Sequence, residues 1–316
     1  MKRIKKVLFV LLCIALFIGS YLIGARGAMA SFADQKFKSM KQQINASSFT
    51  VMKDVSYGEG DMNYYDLYLP ESGKENYSLI LHIHGGGFSA GDKKEGKIIC
   101  EYYASKGYVT ASVNYSLMDG KHDSNLNVMT EEILTAIEHL VSLSEEKGYH
   151  ITEMATTGES AGGTLALLMG LKYGNETEVP VRFVMEESGP ACFDPELWAA
   201  GSDDQQKIDF INNMTGLHME VSEINSVQYQ KAIDSISPSA FASKDSVPLL
   251  MAYGAGDVVV PPNIKEPLLK NLKESNARYD FILFPVSGHS LYNNPEQMKE
   301  YRAKMDEYVE KYFENK

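Results

Sequence analysis

The sequence is poor in cysteine, and its cysteines are scattered. Of the three, Cys13 lies in an apolar run near the start, and Cys100 and Cys192 lie far apart with no C-x-x-C pair. A disulfide framework and a cysteine-type zinc site are therefore unsupported. One bridge between Cys100 and Cys192 stays open in an oxidising compartment, although two thiols in different elements are more often buried and free.

Positive charge is also scarce, with 30 Lys and Arg against 42 Asp and Glu and a net charge of -12. The one dense basic cluster comprises Lys2, Arg3, Lys5 and Lys6. Because neutralising a phosphate backbone needs clustered Lys and Arg, nucleic acid is excluded as an expected partner. A composition with 44% hydrophobic residues is that of a globular protein and argues against a disordered chain.

An apolar run without charges follows the basic cluster at residues 7–25, and Ala28-Met29-Ala30 provides the small residues of a signal-peptidase site. Such a run is long enough to cross a bilayer core of about 30 Å. We expect residues 1–30 to be a signal peptide or an N-terminal membrane anchor, and residues 31–48 to be a polar spacer. Either alternative places the rest of the chain outside the cytoplasm, with membrane contact through this segment if it is not cleaved.

Residues 49–316 alternate between apolar strand-like runs and helical stretches. The first two runs, 50–57 and 62–69, flank a Gly-Glu-Gly-Asp turn cluster and predict an antiparallel hairpin. Near-continuous apolar strands between helices predict a mostly parallel α/β sheet with helices on both faces. The remaining predicted strands are 79–84, 109–114, 154–157, 181–185, 249–253 and 281–284, and the predicted helices are 96–106, 128–147, 161–173 and 266–275.

The interval 189–246 breaks this alternation. It contains two helical patterns, near 203–215 and 219–234, and the chain's single tryptophan. Its apolar residues exceed what a solvated loop would expose, so we expect a small helical cap over the functional pocket. The alternative is packing on a helix flank away from that pocket. The residues concerned are Phe193, Leu197, Trp198, Ile208, Phe210, Ile211, Met214 and Leu217.

The segment GESAGG at 158–163 follows a predicted strand and opens a predicted helix. This strand-turn-helix context makes G-x-S-x-G a nucleophile elbow, in which Ser160 occupies a strained turn and only glycines avoid clashes. The alternative is a glycine-rich helix start with a capping serine. A second segment, HGGGF at 84–88, also follows a strand, and its three glycines let backbone N–H groups approach a ligand oxygen.

Together HGGGF and GESAGG resemble the α/β-hydrolase superfamily, and within it the lipase and esterase group of hormone-sensitive-lipase-like and feruloyl-esterase-like carboxylesterases. The segment DLYLP at 66–70 and Ser237-Pro238 are similar to further family features. The resemblance extends over about residues 50–315. It implies an α/β-hydrolase fold with a small cap insertion and a catalytic triad in the order Ser, acid, His.

Asp257 is the expected acid, since it follows an apolar strand and a glycine turn. Asp280 also lies between the serine and the last histidine, but it begins a strand and belongs at the opposite edge of the sheet. His289, after the last predicted strand, is the expected base. His218 lies in the insertion and is expected to be a surface or cap residue, and His84 a packed one.

These assignments predict an exported serine carboxylesterase or deacylase acting on a small-molecule ester. Ser160 is the nucleophile, and the backbone N–H groups of Gly86, Gly87 and Ala161 form an oxyanion hole. No metal or organic cofactor is expected. The alternatives are a prolyl-oligopeptidase-like peptidase, although no propeller pattern precedes residue 50, and a non-catalytic binding module on the same fold.

Two acidic residues, Glu186 and Glu187, follow the predicted strand 181–185 at the edge where the functional loops meet. A carboxylate there could select a polar or cationic substrate. The favoured interpretation is that both are solvated loop charges that point past the pocket.

Overall fold

The computed structural model describes residues 37–174, 176–198 and 200–314. The chain divides into two compact units, Met1–Gln43 and Ile44–Lys316. The described part of the first unit contains the short helix α1, Lys38–Lys41. The expected leader, residues 1–30, and the first part of the spacer lie outside the described residues. Within the described ranges, no helix combines the length and the apolar character needed to cross a membrane.

In the second unit, the described residues form an eight-stranded sheet in the order β1-β2-β4-β3-β5-β6-β7-β8. β2 pairs antiparallel with β1 and β4, and all other pairs are parallel. The predicted hairpin and the mostly parallel sheet are therefore confirmed. The strands are β1 Phe49–Ser56, β2 Tyr64–Pro70, β3 Tyr77–Ile83, β4 Val109–Val113, β5 Ile151–Glu159, β6 Val181–Glu187, β7 Leu249–Gly254 and β8 Tyr279–Phe284.

Helices cover both faces of this sheet. Successive side chains of a strand point to opposite faces. At the end of β6, Glu186 points toward Gly163 of α4 (Ala161–Leu171) and Glu187 toward Arg302 of α9 (Pro295–Tyr312). These two helices therefore cover opposite faces. The helices outside the insertion are α2 Lys97–Ser105, α3 Leu126–Glu146, α4 Ala161–Leu171, α8 Glu266–Glu274 and α9 Pro295–Tyr312.

The ends of the elements depart from the predicted ones for local reasons. Helix α3 begins two residues early because the Asn125 side chain accepts hydrogen bonds from the N–H groups of Asn127 and Val128. Strand β6 continues to Glu187, beyond the predicted end at residue 185. The two glutamates suggested a loop, but their backbones remain paired with β5 and β7.

The insertion forms three helices, α5 Pro195–Trp198, α6 Asp204–Thr215 and α7 Val227–Ile236. The predicted apolar set divides between two locations. Phe193 and Met214 join the main core, whereas Ile208 and Ile211 pack against α7 within the insertion itself. Leu217 is 45% exposed, so its expected burial is wrong. It follows Gly216, which ends α6 in a left-handed conformation and directs the chain away from the apolar face.

Candidate active site

Ser160 lies in the sharp turn between β5 and α4, with φ 55° and ψ −125°. This backbone conformation is strained for a residue with a side chain. The neighbouring glycines permit it: a Cβ at Gly158 would lie 2.4 Å from the Gly162 carbonyl oxygen, and a Cβ at Gly162 would lie 2.1 Å from that of Ile83. The Ser160 N–H donates to the Glu187 carbonyl oxygen at 2.8 Å, which anchors the turn to β6.

His289 lies between Ser160 and Asp257. Its Nε2 is 2.8 Å from Ser160 Oγ, and its Nδ1 is 2.8 Å from Asp257 Oδ2. The other carboxylate oxygen, Oδ1, accepts the N–H groups of Val259 and Val260 at 2.9 Å each. The structure thus brings together the three residues that the sequence assigned to a triad, in a single chain of hydrogen bonds.

The loops that carry Asp257 and His289 are bound to each other. Ala255 N–H donates to Phe284 O and Gly256 N–H to Ser287 O, each at 3.0 Å. A Cβ on Gly254 would lie 2.3 Å from the Gly288 carbonyl oxygen, so the close approach of the two loops requires glycine there. The parallel strands β7 and β8 therefore deliver the acid and the base to the same edge of the sheet.

Three backbone N–H groups, those of Gly86, Gly87 and Ala161, remain without a hydrogen-bond acceptor in the part of the chain that the structure describes. Gly86 has φ 108° and Gly87 φ 61°. A Cβ on Gly86 would lie 2.1 Å from Ala90 O, whereas one on Gly87 would meet nothing within 4 Å. A Cβ on the preceding Gly85 would lie 3.3 Å from Ser160 Cβ, so the loop approaches the serine, and unpaired backbone donors are what an oxyanion site requires.

The glycine loop is held from both ends. His84 is fully buried, its ring stacks on Tyr115 at 4.4 Å, and its Nδ1 lies 2.7 Å from Gly85 O. Burial lowers the pKa of His84, which keeps the imidazole uncharged. Beyond the glycines, Phe88 O accepts the N–H of Met118 at 2.8 Å. His84 is therefore a packed residue, as expected, that shapes the loop.

The other acid and histidine considered from the sequence, Asp280 and His218, do not contact Ser160 or His289 among the described hydrogen bonds. Asp280, near the start of β8, accepts from the Tyr308 hydroxyl at 2.9 Å, far along the strand from the His289 loop. His218 is exposed on the insertion.

Cys100 and Cys192 are both buried and free, so no bridge joins them.

The favoured interpretation of Glu186 and Glu187 as solvated loop charges is wrong. Glu186 is 0% exposed and Glu187 6% exposed, because both belong to a central strand covered on each face. Their position after an apolar strand was the signal available in the sequence. Ser188, which sequence analysis missed, has φ 55° and donates from Oγ to the His289 carbonyl oxygen at 3.0 Å.

Aromatic rings connect the insertion with the glycine loop. The Phe193 ring centroid lies 6.0 Å from that of Phe88, 5.8 Å from that of Trp198 and 6.5 Å from that of Phe210. Trp198 Nε1 donates to the Cys192 carbonyl oxygen at 2.9 Å, which fixes the indole. The insertion therefore packs on the loop that carries the free N–H groups.

No group of three or more His, Cys, Asp or Glu side chains in the described ranges is arranged to hold a metal ion. The arrangement at Ser160 combines instead a hydroxyl, an imidazole, a carboxylate and free backbone donors. Such a constellation supports acyl transfer through a serine nucleophile.

Solved structures share this fold. A truncated carbohydrate esterase from gut microbiota superposes with TM-score 0.66 at 19% identity over 85% of this chain and 98% of that one. An inhibited esterase B from Lactobacillus rhamnosis gives 0.65 at 19% identity over 92% and 96%. The class that the fold defines is the α/β-hydrolases.

The family model BD-FAE matches residues 65–272, and the chain belongs to this carboxylesterase-type α/β-hydrolase family. Among curated relatives, kynurenine formamidase of Danio rerio is 26% identical over 132 residues, 42% of each chain. A probable isoprenylcysteine alpha-carbonyl methylesterase of Oryza sativa is 20% identical over 76% of this chain and 58% of its own length. The chain thus spans about two fifths to three fifths of these relatives.

Proposed function

We propose that this chain is a serine carboxylic ester hydrolase that acts through an acyl-enzyme on Ser160. The observation that carries the proposal is the hydrogen-bonded series Ser160, His289, Asp257, with 2.8 Å at each contact. Membership of a carboxylesterase-type family supports the same class of reaction.

In the acylation half, His289 Nε2 takes the proton of the Ser160 hydroxyl while Oγ attacks the ester carbonyl carbon. Asp257 holds His289 Nδ1–H and stabilises the imidazolium. The carbonyl oxygen becomes negative and accepts the N–H groups of Gly86, Gly87 and Ala161. When the tetrahedral intermediate collapses, the C–O bond to the alcohol breaks and His289 protonates the leaving alkoxide.

In the deacylation half, water takes the place of the alcohol. His289 accepts a proton from this water as its oxygen attacks the acyl carbon, and the same N–H groups stabilise the second oxyanion. The Ser160 C–O bond then breaks, His289 returns its proton to Oγ, and the carboxylic acid leaves. Every proton passes through His289 Nε2, so the proposed cycle needs no metal or organic cofactor.

Labelling by a fluorophosphonate probe tests the nucleophile. We expect the wild-type protein to be labelled and Ser160→Ala to be unlabelled and inactive on p-nitrophenyl acetate. Ser142→Ala, which removes an exposed serine on α3, serves as the matched control and should be labelled like wild type. Equal circular dichroism spectra would show that all three proteins are folded. Labelling of the Ser160→Ala protein would contradict the assignment.

The kinds of relatives define a substrate panel. Three kinds of substrate are compared. Acetylated and feruloylated sugars represent the similar carbohydrate esterase, and carboxylic methyl esters represent the similar methylesterase. An aryl formamide represents the similar formamidase. Cleavage of oxygen esters with negligible formamide cleavage is the expected result. A formamide cleaved faster than every ester would move the function from ester to amide hydrolysis.

We also propose that the protein is exported, because the basic cluster and the uncharged run 7–25 have the features of a signal peptide or anchor. Expression of the full chain followed by fractionation and N-terminal sequencing tests this. Export predicts protein outside the cytoplasm, either shortened near residue 30 or intact in the membrane fraction. Intact protein found only in the cytoplasm would contradict it.

A further inference from the structure

Glu186 lies near the end of β6, and its carboxyl group is next to α4, the helix that follows Ser160. Its side chain is completely buried, and Oε2 accepts the Gly189 N–H at 2.8 Å. The same oxygen lies 3.2 Å from the place where a Cβ of Gly163 would stand, so it lies against the first turn of α4. The absence of a side chain at Gly163 makes room for this carboxyl group.

The residues that follow Glu186 contact two members of the proposed catalytic series, Ser160 and His289. The Glu187 carbonyl oxygen accepts the Ser160 N–H at 2.8 Å, and Ser188 Oγ donates to His289 O at 3.0 Å. The Gly189 N–H is the one bound by the Glu186 carboxyl group. Hydrogen bonds from the segment 186–189 thus connect the serine turn with the histidine loop, and the Glu186 carboxyl group binds the N–H at the end of this segment.

The surroundings of Glu186 favour its uncharged form. Burial and the nearby Glu187 raise its pKa to about 8. The ionisable groups that face it are Glu187 on its own strand, Tyr253 on β7, and Tyr301 with the adjacent Arg302 on α9. Arg302 pairs with Glu187, its Nη2 lying 3.4 Å from Oε1. Burial raises the pKa of both tyrosines well above the usual value, so neither ionises near neutral pH.

We infer that Glu186 is a positioning residue for the reaction at Ser160 and that it acts as an uncharged carboxylic acid. The inference rests on the proposed function. A neutral acid braces Gly189 and the first turn of α4 without placing negative charge near Ala161, whose N–H is a proposed oxyanion donor. Ionisation would put a negative charge close to the developing oxyanion and destabilise the transition state. Activity should therefore fall when Glu186 loses its proton.

The first test compares pH profiles of kcat for wild type, Glu186→Gln and Glu146→Gln between pH 6 and 10. Glutamine keeps an acceptor for Gly189 N–H but cannot ionise, and Glu146 is an exposed carboxylate on α3. We expect wild type and Glu146→Gln to lose about tenfold in kcat for each pH unit above about 8, and Glu186→Gln to lack this decline. The same alkaline decline in Glu186→Gln would overturn the inference.

A second variant separates positioning from charge. Glu186→Ala removes the brace, and we expect it to lower kcat at pH 7 by about tenfold or more with KM little changed, because misplacement of the reacting groups affects the chemical step. Glu186→Gln should retain most of the wild-type kcat at pH 7. If the Glu186→Ala protein is folded and fully active, the inferred positioning role of Glu186 is wrong. If the Glu186→Ala protein does not fold, the pH profile of Glu186→Gln alone tests the inference.

A third measurement does not depend on hydrolysis. A carboxyl group with a pKa of about 8 when folded and about 4.3 when unfolded binds its proton more tightly in the folded state. Its stabilising contribution is therefore fully present below about pH 4.3 and is lost as pH rises toward 8. The unfolding temperature of wild type relative to Glu186→Gln should decrease from pH 5 to pH 8.

The outcomes of the three measurements are distinct. An unfolding difference independent of pH would show that Glu186 is not held neutral, and would overturn the inference whatever the activity. If the unfolding difference depends on pH but neither wild type nor any variant hydrolyses an ester, the proposed function has failed, and with it the positioning role of Glu186 in that reaction. If all three measurements give the expected results, they support both the proposed function and the positioning role of Glu186.

Discussion

The ring of Phe88 lies 6.0 Å, centroid to centroid, from the ring of Phe193. Phe88 follows the glycine loop directly, and Phe193 lies near the start of the insertion. Trp198 and Phe210 extend the contact, with ring centroids 6.0 Å apart. The insertion is therefore packed against the loop that would bind the oxyanion. We expect substitutions of these rings to change how the acyl group of the substrate binds.

Trp198→Ala should change the preference between butyrate and acetate esters. The substitution opens space beside Phe193, and one methylene in an apolar pocket changes the transition-state free energy by about 1–3 kcal/mol. The measurement is the ratio of kcat/KM for the two p-nitrophenyl esters. Leu217→Ala, at an exposed position of the same insertion, should leave the ratio unchanged. An unaltered ratio in a folded Trp198→Ala protein would remove the insertion from acyl selection.

Asp257→Asn should reduce kcat by about 10⁴, because an amide no longer holds the productive imidazole tautomer. Asp280→Asn is the matched control: it leaves the His289 contact intact and disturbs only the bond to Tyr308 and the nearby Lys304. We expect its kcat to stay close to that of wild type. Steady-state hydrolysis of p-nitrophenyl acetate by both variants decides, and a larger loss in Asp280→Asn would reverse the assignment of the acid.

Gly86→Ala and Gly87→Ala should differ although both glycines have positive φ. A methyl group at Gly86 would collide with Ala90 O and displace the loop, whereas at Gly87 there is open space. We expect Gly86→Ala to lose about 10² to 10³ in kcat with little change in KM, as when an oxyanion donor is removed. Gly87→Ala should lose much less. A kcat close to that of wild type in both folded variants would argue against a role of this loop in the transition state.

Asp66→Asn should destabilise the fold. Asp66 forms a buried ion pair with Lys93, which is only 3% exposed, and Lys93 also contacts the exposed Asp54. Without the Asp66 carboxylate, the buried Lys93 ammonium keeps only the solvent-exposed Asp54 as a charged partner among the described residues, and breaking a buried pair costs about 3 kcal/mol in the free energy of unfolding. Asp54→Asn should change stability little, since the Asp54 carboxylate faces solvent. Urea unfolding of both variants tests this, and equal stabilities would refute the burial argument.

The sequence predicted the inner strands of the sheet well because they are buried on both sides. All seven residues of β3 and all six of β7 are buried, so the runs of apolar letters coincide with the strands. It predicted the places of Ser160, Asp257 and His289 because each follows such a strand, and parallel strands bring their carboxyl ends to one edge. The catalytic roles of the three residues and of the glycine loop stay predictions that the experiments above address.

The misjudged features all depend on neighbours distant in sequence. Glu186 and Glu187 suggested solvent because charged residues are seldom buried, and only the helices packed on each face of β6 exclude water from them. Leu217 suggested burial because it is apolar, but the left-handed turn at Gly216 directs it outward. Local composition carries no information about what covers a residue from elsewhere in the chain.

By itself, the sequence determined the fold class and the local backbone geometry around the proposed site. Ser160 among glycines after a strand, and the glycine loop at 84–88, follow from backbone sterics within a few residues. Only the tertiary structure decided the 2.8 Å contact between Ser160 and His289, the split of the insertion's apolar side chains and the burial of Glu186. Those depend on hydrogen bonding and desolvation between groups that the chain brings together only when the sheet is complete.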